Sequence, residues 1–168
     1  MTSEPSRPDF GEVVRNYWTT VYRVLHSLTG DGHTAEDLTQ ETFTRALARW
    51  TSFHPGSNLR AWLLRIATNA CFDDRRRRKR AKVVPLSEEP AGADWHPTRR
   101  LETAERAEVV RAALATLTEQ TRLVFHLRAV EGLSFREIAE VAGTTEQGAR
   151  WHMHQARTKL LDILGEDF

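Results

Sequence analysis

The chain has 168 residues, 40% hydrophobic and 28% charged, with 9 glycines and 6 prolines: enough apolar content for one domain or two small ones, and too much for a disordered or fibrous chain. Its 24 lysines and arginines nearly balance 23 acids, giving a formal charge of +1, and no apolar run approaches the roughly 18 residues of a membrane span. The opening MTSEPSRPDF carries prolines and acids where an export signal needs an apolar stretch, and the one cysteine, Cys71, can form neither an internal disulfide nor a cysteine-rich zinc site; a reducing, cytoplasmic setting is expected.

Apolar residues recur at helical spacing and no alternating stretch argues for strands, so the expected fold is all-α. A first helix starts at Phe10, with Val14, Tyr17, Trp18, Val21, Leu25 and Leu28 inward, and Thr29-Gly30-Asp31-Gly32 breaks it. Thr34 is the expected N-cap of a second helix, with Asp37 in its first turn. It runs to about Trp50, burying Phe43, Ala46, Leu47 and Trp50 and turning Asp37, Gln40, Glu41, Thr44 and Arg45 outward. Residues 51–58 (TSFHPGSN) form a loop. A third helix follows from Ser57 or Asn58, with Leu59, Trp62, Leu63, Ile66 and Ala70 inward and a basic run at its C-terminal end, where cations suit the helix dipole. Proline, glycine and acids gather in VVPLSEEPAGADWHPTRR, residues 83–100, which reads as a flexible linker between two small helical domains, 10–82 and 101–168. In the second domain Val110, Ala113, Leu114 and Leu117 line one helix, and Thr118 caps the next, with Leu123, Val124, Leu127 and Val130 inward and Gly132 at its end. Ser134 to Glu137 is a capping box that opens a short helix burying Ile138, Ala139 and Ala142 and closed by Gly143. Thr144 to Gln147 is a second box, opening a helix to about Leu164 with Ala149, Met153, Ala156, Leu160 and Leu164 inward.

Residues 57–82 hold nine basic side chains and two acids, Asp73 and Asp74. Such local positive charge, continuing an amphipathic helix, suits a polyanion. The short helix, glycine turn and longer helix of the second domain form a helix-turn-helix, whose second helix would bring Thr145, Glu146, Gln147 and Arg150 to base edges. Two short helices and a glycine turn are also common in proteins that never meet DNA. Trp50 and Trp62 sit on apolar stripes and read as core. Phe53, His54, Ser57 and Asn58 lie in the loop and are better placed to meet an unstacked base, although Ser57 and Asn58 equally suit a helix cap. The outward face of the second helix reads, on composition, as a solvated surface. No catalytic or metal site is expected. The seven histidines are scattered, and His152 and His154 point about 200° apart on a helix. Asp73-Asp74 lacks the phosphate loop and further carboxylates that phosphoryl chemistry needs.

Three stretches in series, AEDLTQETFTRALARW, LRAWLLRIATNACFDDRRRRKR and LTEQTRLVFHLRAVEGLSFREIAEVAGTTEQGARWHMHQARTKL, closely resemble the extracytoplasmic-function (ECF) sigma factors of bacterial RNA polymerase. The resemblance implies a cofactor-free, non-enzymatic subunit with two jobs. It would bind core polymerase, with Asp37, Gln40, Glu41, Thr44 and Arg45 on the clamp of the β′ subunit and β as a further contact. It would also recognise promoter DNA and help to open it. Residues 10–82 would grip the −10 element through the loop residues Phe53, His54, Ser57 and Asn58 and through Arg60, Arg65, Asn69, Arg75, Arg76, Arg77 and Arg78. Residues 101–168 would grip the −35 element through Ser134, Arg136, Thr145, Glu146, Gln147, Arg150, His154 and Arg157, with 145–157 as recognition helix. Many members are held inactive by an anti-sigma factor, so the resemblance admits such a partner. The sequence departs from the family where Trp151 replaces a small residue, His152 replaces an arginine, and Gly148 lowers helix propensity.

Overall fold

A computed structural model describes residues 7–81 and 101–165, with the side chains of 101–107 outside the description. The expected linker, 83–100, and Lys82 lie outside the described residues. The chain divides into two compact units, Met1–Gly92 and Ala93–Phe168, and among the described residues every regular element is helical.

The first unit holds α1 (Phe10–Thr29), α2 (Gly32–Ala48) and α3 (Leu59–Ala81), each packed on the other two, with a 3₁₀ turn at Trp50–Ser52. Asp9 caps α1 by accepting from the Glu12 amide at 3.1 Å. Gly30 ends it at φ 70°, a left-handed conformation that a Cβ would penalise. The next residue, Asp31, is the cap of α2: its carboxylate accepts from the Thr34 amide at 2.8 Å. The helix therefore begins a turn earlier than a Thr34 cap predicts, because the carboxylate three residues upstream already satisfies that amide. Asn58 Oδ1 caps α3 through the Ala61 amide at 3.0 Å.

The core of this unit is Val13, Val21, Val24, Leu25 and Leu28 from α1, Ala35, Leu38, Phe43 and Ala46 from α2, and Ala61, Leu63, Leu64, Ile66, Ala67, Ala70 and Cys71 from α3. Each fully buried leucine or isoleucine stabilises by about 1.5–3 kcal/mol. The α1 stripe is rotated from the expected one: Val13 and Val24 are buried, whereas Val14, Tyr17 and Trp18 are half-buried. Thr39 and Thr42 reach full burial because their hydroxyls donate to the carbonyls of Ala35 and Leu38, both at 2.7 Å. Leu47, expected inward, is 57% exposed. The residues α2 buries run Ala35, Leu38, Thr39, Thr42, Phe43, Ala46, and Leu47 falls about 100° around the helix from Ala46 and about 40° past Phe43, just outside the buried arc.

The second unit holds α4 (Leu101–Ala115), α5 (Glu119–Ala129), α6 (Phe135–Ala142) and α7 (Glu146–Leu164). Helices α4, α5 and α6 all pack on α7, over a core of Ala113, Leu117, Leu123, Val124, Leu127, Leu133, Ile138, Val141, Ala149 and Ala156. Thr118 caps α5 as expected. Val130, expected inward, is 55% exposed at the C-cap of α5, which stops at Ala129. The capping box at Ser134 and Glu137 is complete in both directions. Helix α6 buries Val141 beside Ile138 and leaves Ala139 and Ala142, expected inside, half-buried. Gly143, at φ 63°, turns the chain toward α7. The cap of α7 is Thr145, one residue later than the expected box at Thr144: its hydroxyl accepts from the Gly148 amide at 3.0 Å. The glycine at 148 has a steric reason, since a Cβ there would run into the Thr144 hydroxyl.

Candidate nucleic-acid interface

In the first unit, Asp37, Gln40 and Thr44 stand exposed along α2, with Glu41 and Arg45 half-buried beside them. Leu47, which sequence reasoning placed in the core, adds an apolar side chain three residues beyond Thr44 on the same face. Arg45 ties this face to α3. Its guanidinium bonds Glu41 at 2.5 Å and Asp73 at 3.2 Å, and Asp73 in turn holds Arg76 at 2.5 Å. The hydrogen bond from Arg76, then that from Arg45, keeps the Asp73 carboxyl below the usual carboxylate range. Asp74 holds Arg78 at 2.7 Å, and Arg77 stands 3.8 Å from both Asp74 and Glu41. Single exposed pairs of this kind are worth about 0–1 kcal/mol. Their effect here is to fan the guanidinium groups over two fixed carboxylates. Arg65 and Asn69 are exposed on the same helix, Arg60 is half-buried, and Arg76 to Arg80 are exposed at its end.

Arg75 differs from the arginines that follow it. It is half-buried and donates to the Leu28 carbonyl in the last turn of α1. It lies four residues after buried Cys71 and therefore on the inward side of α3, where it satisfies a helix-end carbonyl. Unlike the exposed arginines that follow it, Arg75 is thus tied to the end of α1.

The loop between α2 and α3 is built on an aromatic stack. The Trp50 and Phe53 rings lie 5.3 Å apart and 4° from parallel, and Trp62 closes on both at 6.0 and 5.2 Å. Phe10 meets Trp50 edge-on at 5.1 Å. Phe53 is only 4% exposed, a correction to its expected outward place: the 3₁₀ turn at Trp50–Ser52 folds the chain back and the ring packs against both indoles. His54, Ser57 and Asn58 remain exposed. The Ser57 hydroxyl donates to the His54 carbonyl at 2.7 Å, while Asn58 spends its side-chain oxygen on the α3 cap. Arg7 donates to the carbonyls of Thr51 and Phe53 at 3.1 and 3.2 Å, pinning the loop. No sequence periodicity marks Arg7, because its partners lie more than forty positions downstream.

In the second unit Thr145, Glu146, Gln147, Arg150, His154 and Arg157 all lie exposed on α7 or at its cap. Ser134 is committed to the α6 cap, while Arg136 is exposed two residues after it in the first turn of α6. Arg150 is held twice, by the Glu146 carboxylate at 2.5 Å and over the face of Phe135, 4.7 Å from the ring centre. Arg128 from the end of α5 lies over the same ring at 5.0 Å. Neither Phe135 nor Arg128 was singled out from the sequence, since their meeting with Arg150 depends on how α5, α6 and α7 pack. A groove of about 470 Å³ runs along this side of α7, where Phe135, Met153 and Leu161 are joined by Arg150, His154 and Arg157. His152 turns inward: Nδ1 lies 3.0 Å from the Thr121 hydroxyl, itself bonded to the Thr118 hydroxyl at 2.8 Å, and burial pushes the imidazole below its ordinary pKa. Among the described residues no group of histidine, cysteine and carboxylate side chains could hold a metal ion, and no helix is long and apolar enough to cross a membrane.

Comparison with known proteins adds to this geometry. The Sigma-70 region 2 family matches residues 13–81 and the Sigma-70 region 4 family matches residues 107–160. The chain is 35% identical to the ECF RNA polymerase sigma factor SigE of Mycolicibacterium smegmatis, over 97% of this chain and 64% of that protein. It is equally 35% identical to the ECF RNA polymerase sigma factor EcfG of Rhodopseudomonas palustris, over 84% of this chain and 80% of that one. Its fold is similar to the sigma factor RpoE of Bartonella quintana, solved with the anti-sigma factor NepR, at a TM-score of 0.79 and 26% identity over 95% of this chain and 99% of that one. Two helical units matched in series by region 2 and region 4, together with these relatives, place the chain in the ECF sigma factor family of RNA polymerase.

Proposed function

We propose that the chain is a promoter-specificity subunit that directs core RNA polymerase to −10 and −35 elements and helps to open the duplex. The observation that carries this reading is the pairing of the two regions in one chain, region 2 over 13–81 and region 4 over 107–160. Residues 10–82 bind core polymerase through Asp37, Gln40, Glu41, Thr44 and Arg45 on α2, with Leu47 as an apolar centre. Arg65, Asn69 and Arg76 to Arg78 follow the −10 backbone, and the pinned loop offers His54 and Ser57 to an extruded base. The rigid stack beneath that loop serves melting, because a site already in place offsets part of the unstacking cost of the base it receives. Residues 101–168 bind the −35 element through the exposed face of α7 and Arg136, and residues 83–100 tether the two units. The work is cytoplasmic, where polymerase and promoter DNA are. An anti-sigma factor is a further partner class, supported by the similarity to RpoE, which was solved with NepR.

Run-off transcription with bacterial core polymerase on a promoter library tests the reading. The full chain with core selects a two-element promoter, whereas the chain alone binds the same duplexes weakly and with an affinity that falls with salt. Tight sequence-specific binding without polymerase, or no affinity for core, overturns it.

A further inference from the structure

Helix α7 exposes three large apolar side chains, Leu161 and Ile163 in its last turn and Trp151 near its start. Trp151 is 56% exposed, two residues past the buried Ala149 and so about 200° away around the helix, on the side opposite the core. Gln147, Trp151 and His154 are exposed at spacings of four and three residues and form one ridge, with Arg150 beside it. A large exposed indole flanked by basic and amide side chains is matched by a partner that is both anionic and locally apolar.

The indole is also held in place. Its ring meets that of His152 edge-on at 4.9 Å, with the planes 75° apart. His152 is itself fixed from below, 3.0 Å from the Thr121 hydroxyl on α5, which is in turn bonded to the hydroxyl of the α5 cap, Thr118. A chain of contacts therefore runs from the cap of one helix to an aromatic side chain on the outer face of another. Holding a large side chain in one orientation before binding lowers the entropy lost when it docks.

We propose that Trp151 is a specificity-determining residue for the −35 element, reading the C5-methyl of one thymine in the major groove, and that His152 acts through it as a positioning residue. This rests on the reading of α7 as the −35 helix. The DNA major groove presents one apolar group, the thymine methyl, among polar base edges and flanking phosphates. The ridge and its neighbour match that pattern: an indole for the methyl, Gln147 for a base edge, and Arg150 for the anionic surroundings. Thr121 and Thr118 support the reader without touching DNA.

The test uses holoenzyme made from the full chain and bacterial core polymerase. A promoter library randomised over the −35 element first yields the preferred sequence, and each thymine in it is then replaced by deoxyuridine, which lacks only the methyl. For the wild-type holoenzyme one such replacement lowers promoter binding about fourfold, the loss expected for one buried methyl. Trp151→Ala loses base preference at that position alone and becomes indifferent to the deoxyuridine there, while Trp151→Phe keeps a reduced preference. His152→Ala weakens discrimination at the same position and no other, and His152→Gln, which can still bond Thr121, restores part of it. An unchanged base profile in Trp151→Ala overturns the proposal, as does a loss of polymerase affinity with the profile intact, which would assign the indole to a protein contact. Arg150→Ala separates the two levels. If it alters the −35 profile and Trp151→Ala does not, only the role of Trp151 fails. If neither alters it, α7 is not the −35 helix.

Discussion

The two units present charge to DNA in different ways. In the first, the basic side chains are bound into the fold: Arg45, Arg76 and Arg78 share Asp73 and Asp74, Arg75 closes the end of α1, and the loop above them stands on the Trp50, Phe53 and Trp62 stack. In the second, the polar side chains of α7 project from a single helix, and Arg150 is guided by one ring and one carboxylate. Opening a duplex requires a surface that does not yield when a base is pulled out of its stack, so tertiary cross-links belong there. Reading base edges requires side chains that reach out from the fold, and an exposed helix face supplies them.

That contrast is broken most directly at Phe53. Phe53→Ala leaves a hole beside two indoles, and a buried aromatic lost this way costs about 3–5 kcal/mol. Urea unfolding followed by tryptophan fluorescence should show an early transition, and run-off transcription should fall with it. If stability is unchanged, the stack is not what holds the loop. Arg75 and Arg76 give the next largest separation. Arg75→Ala should lower unfolding stability by about 1.5 kcal/mol, the worth of a hydrogen bond from a charged group. Arg76→Ala should leave stability within a few tenths of a kcal/mol while lowering the salt slope of holoenzyme binding by about one, the signature of a lost phosphate contact. Equal effects from the two variants would mean that the inward turn of Arg75 has no energetic content.

These two positions also mark what sequence can and cannot reveal. The helices were legible because their signals are local: Thr118, the Ser134 and Glu137 box and the turn at Gly143 each act within four residues. Where two local signals compete, the reading slips by a turn or less, as with Asp31 over Thr34 and Thr145 over Thr144. Arg75 and Arg76 look alike in a basic run, and only the position of α1 separates them. Phe53 reads as a loop residue until Trp50 and Trp62 are placed around it, and Arg7 carries no pattern at all. The candidate site was thus visible as a set of basic helix faces, whereas the division between residues that build it and residues that touch DNA depends on tertiary structure.

Phe135 sharpens the second unit's half of the comparison. Its ring orients Arg150 and Arg128, and an exposed cation–π contact is worth about 0.5–1 kcal/mol. Phe135→Leu keeps the apolar volume and removes the ring face, so holoenzyme binding to promoter duplex should weaken about two- to fivefold, with the loss confined to the −35 element. Phe135→Tyr, which keeps the ring, should bind as wild type does. Equal loss in both variants would mean that packing of α6, not the ring face, carries the effect.

The smallest effect concerns pH and separates the units by their titratable groups. Burial holds His152 below its ordinary pKa, so the folded second unit favours the neutral imidazole. The stabilisation that accompanies this is complete above the unfolded value of about 6.5 and is lost as pH falls through the lower folded value. In the first unit the corresponding group is Asp73, also depressed, whose contribution is complete above the unfolded value near 4 and fades only below it. Between pH 6.5 and 5, therefore, α7 should loosen while α2 and α3 do not. Amide hydrogen exchange on the full chain, compared at equal intrinsic exchange rates, should show rising exchange at Ala149 to Ala156 and unchanged protection around Ala46 and Ala70. In His152→Gln, which does not titrate, the difference between the two regions should disappear; if it persists, another group in the second unit is responsible for the acid response.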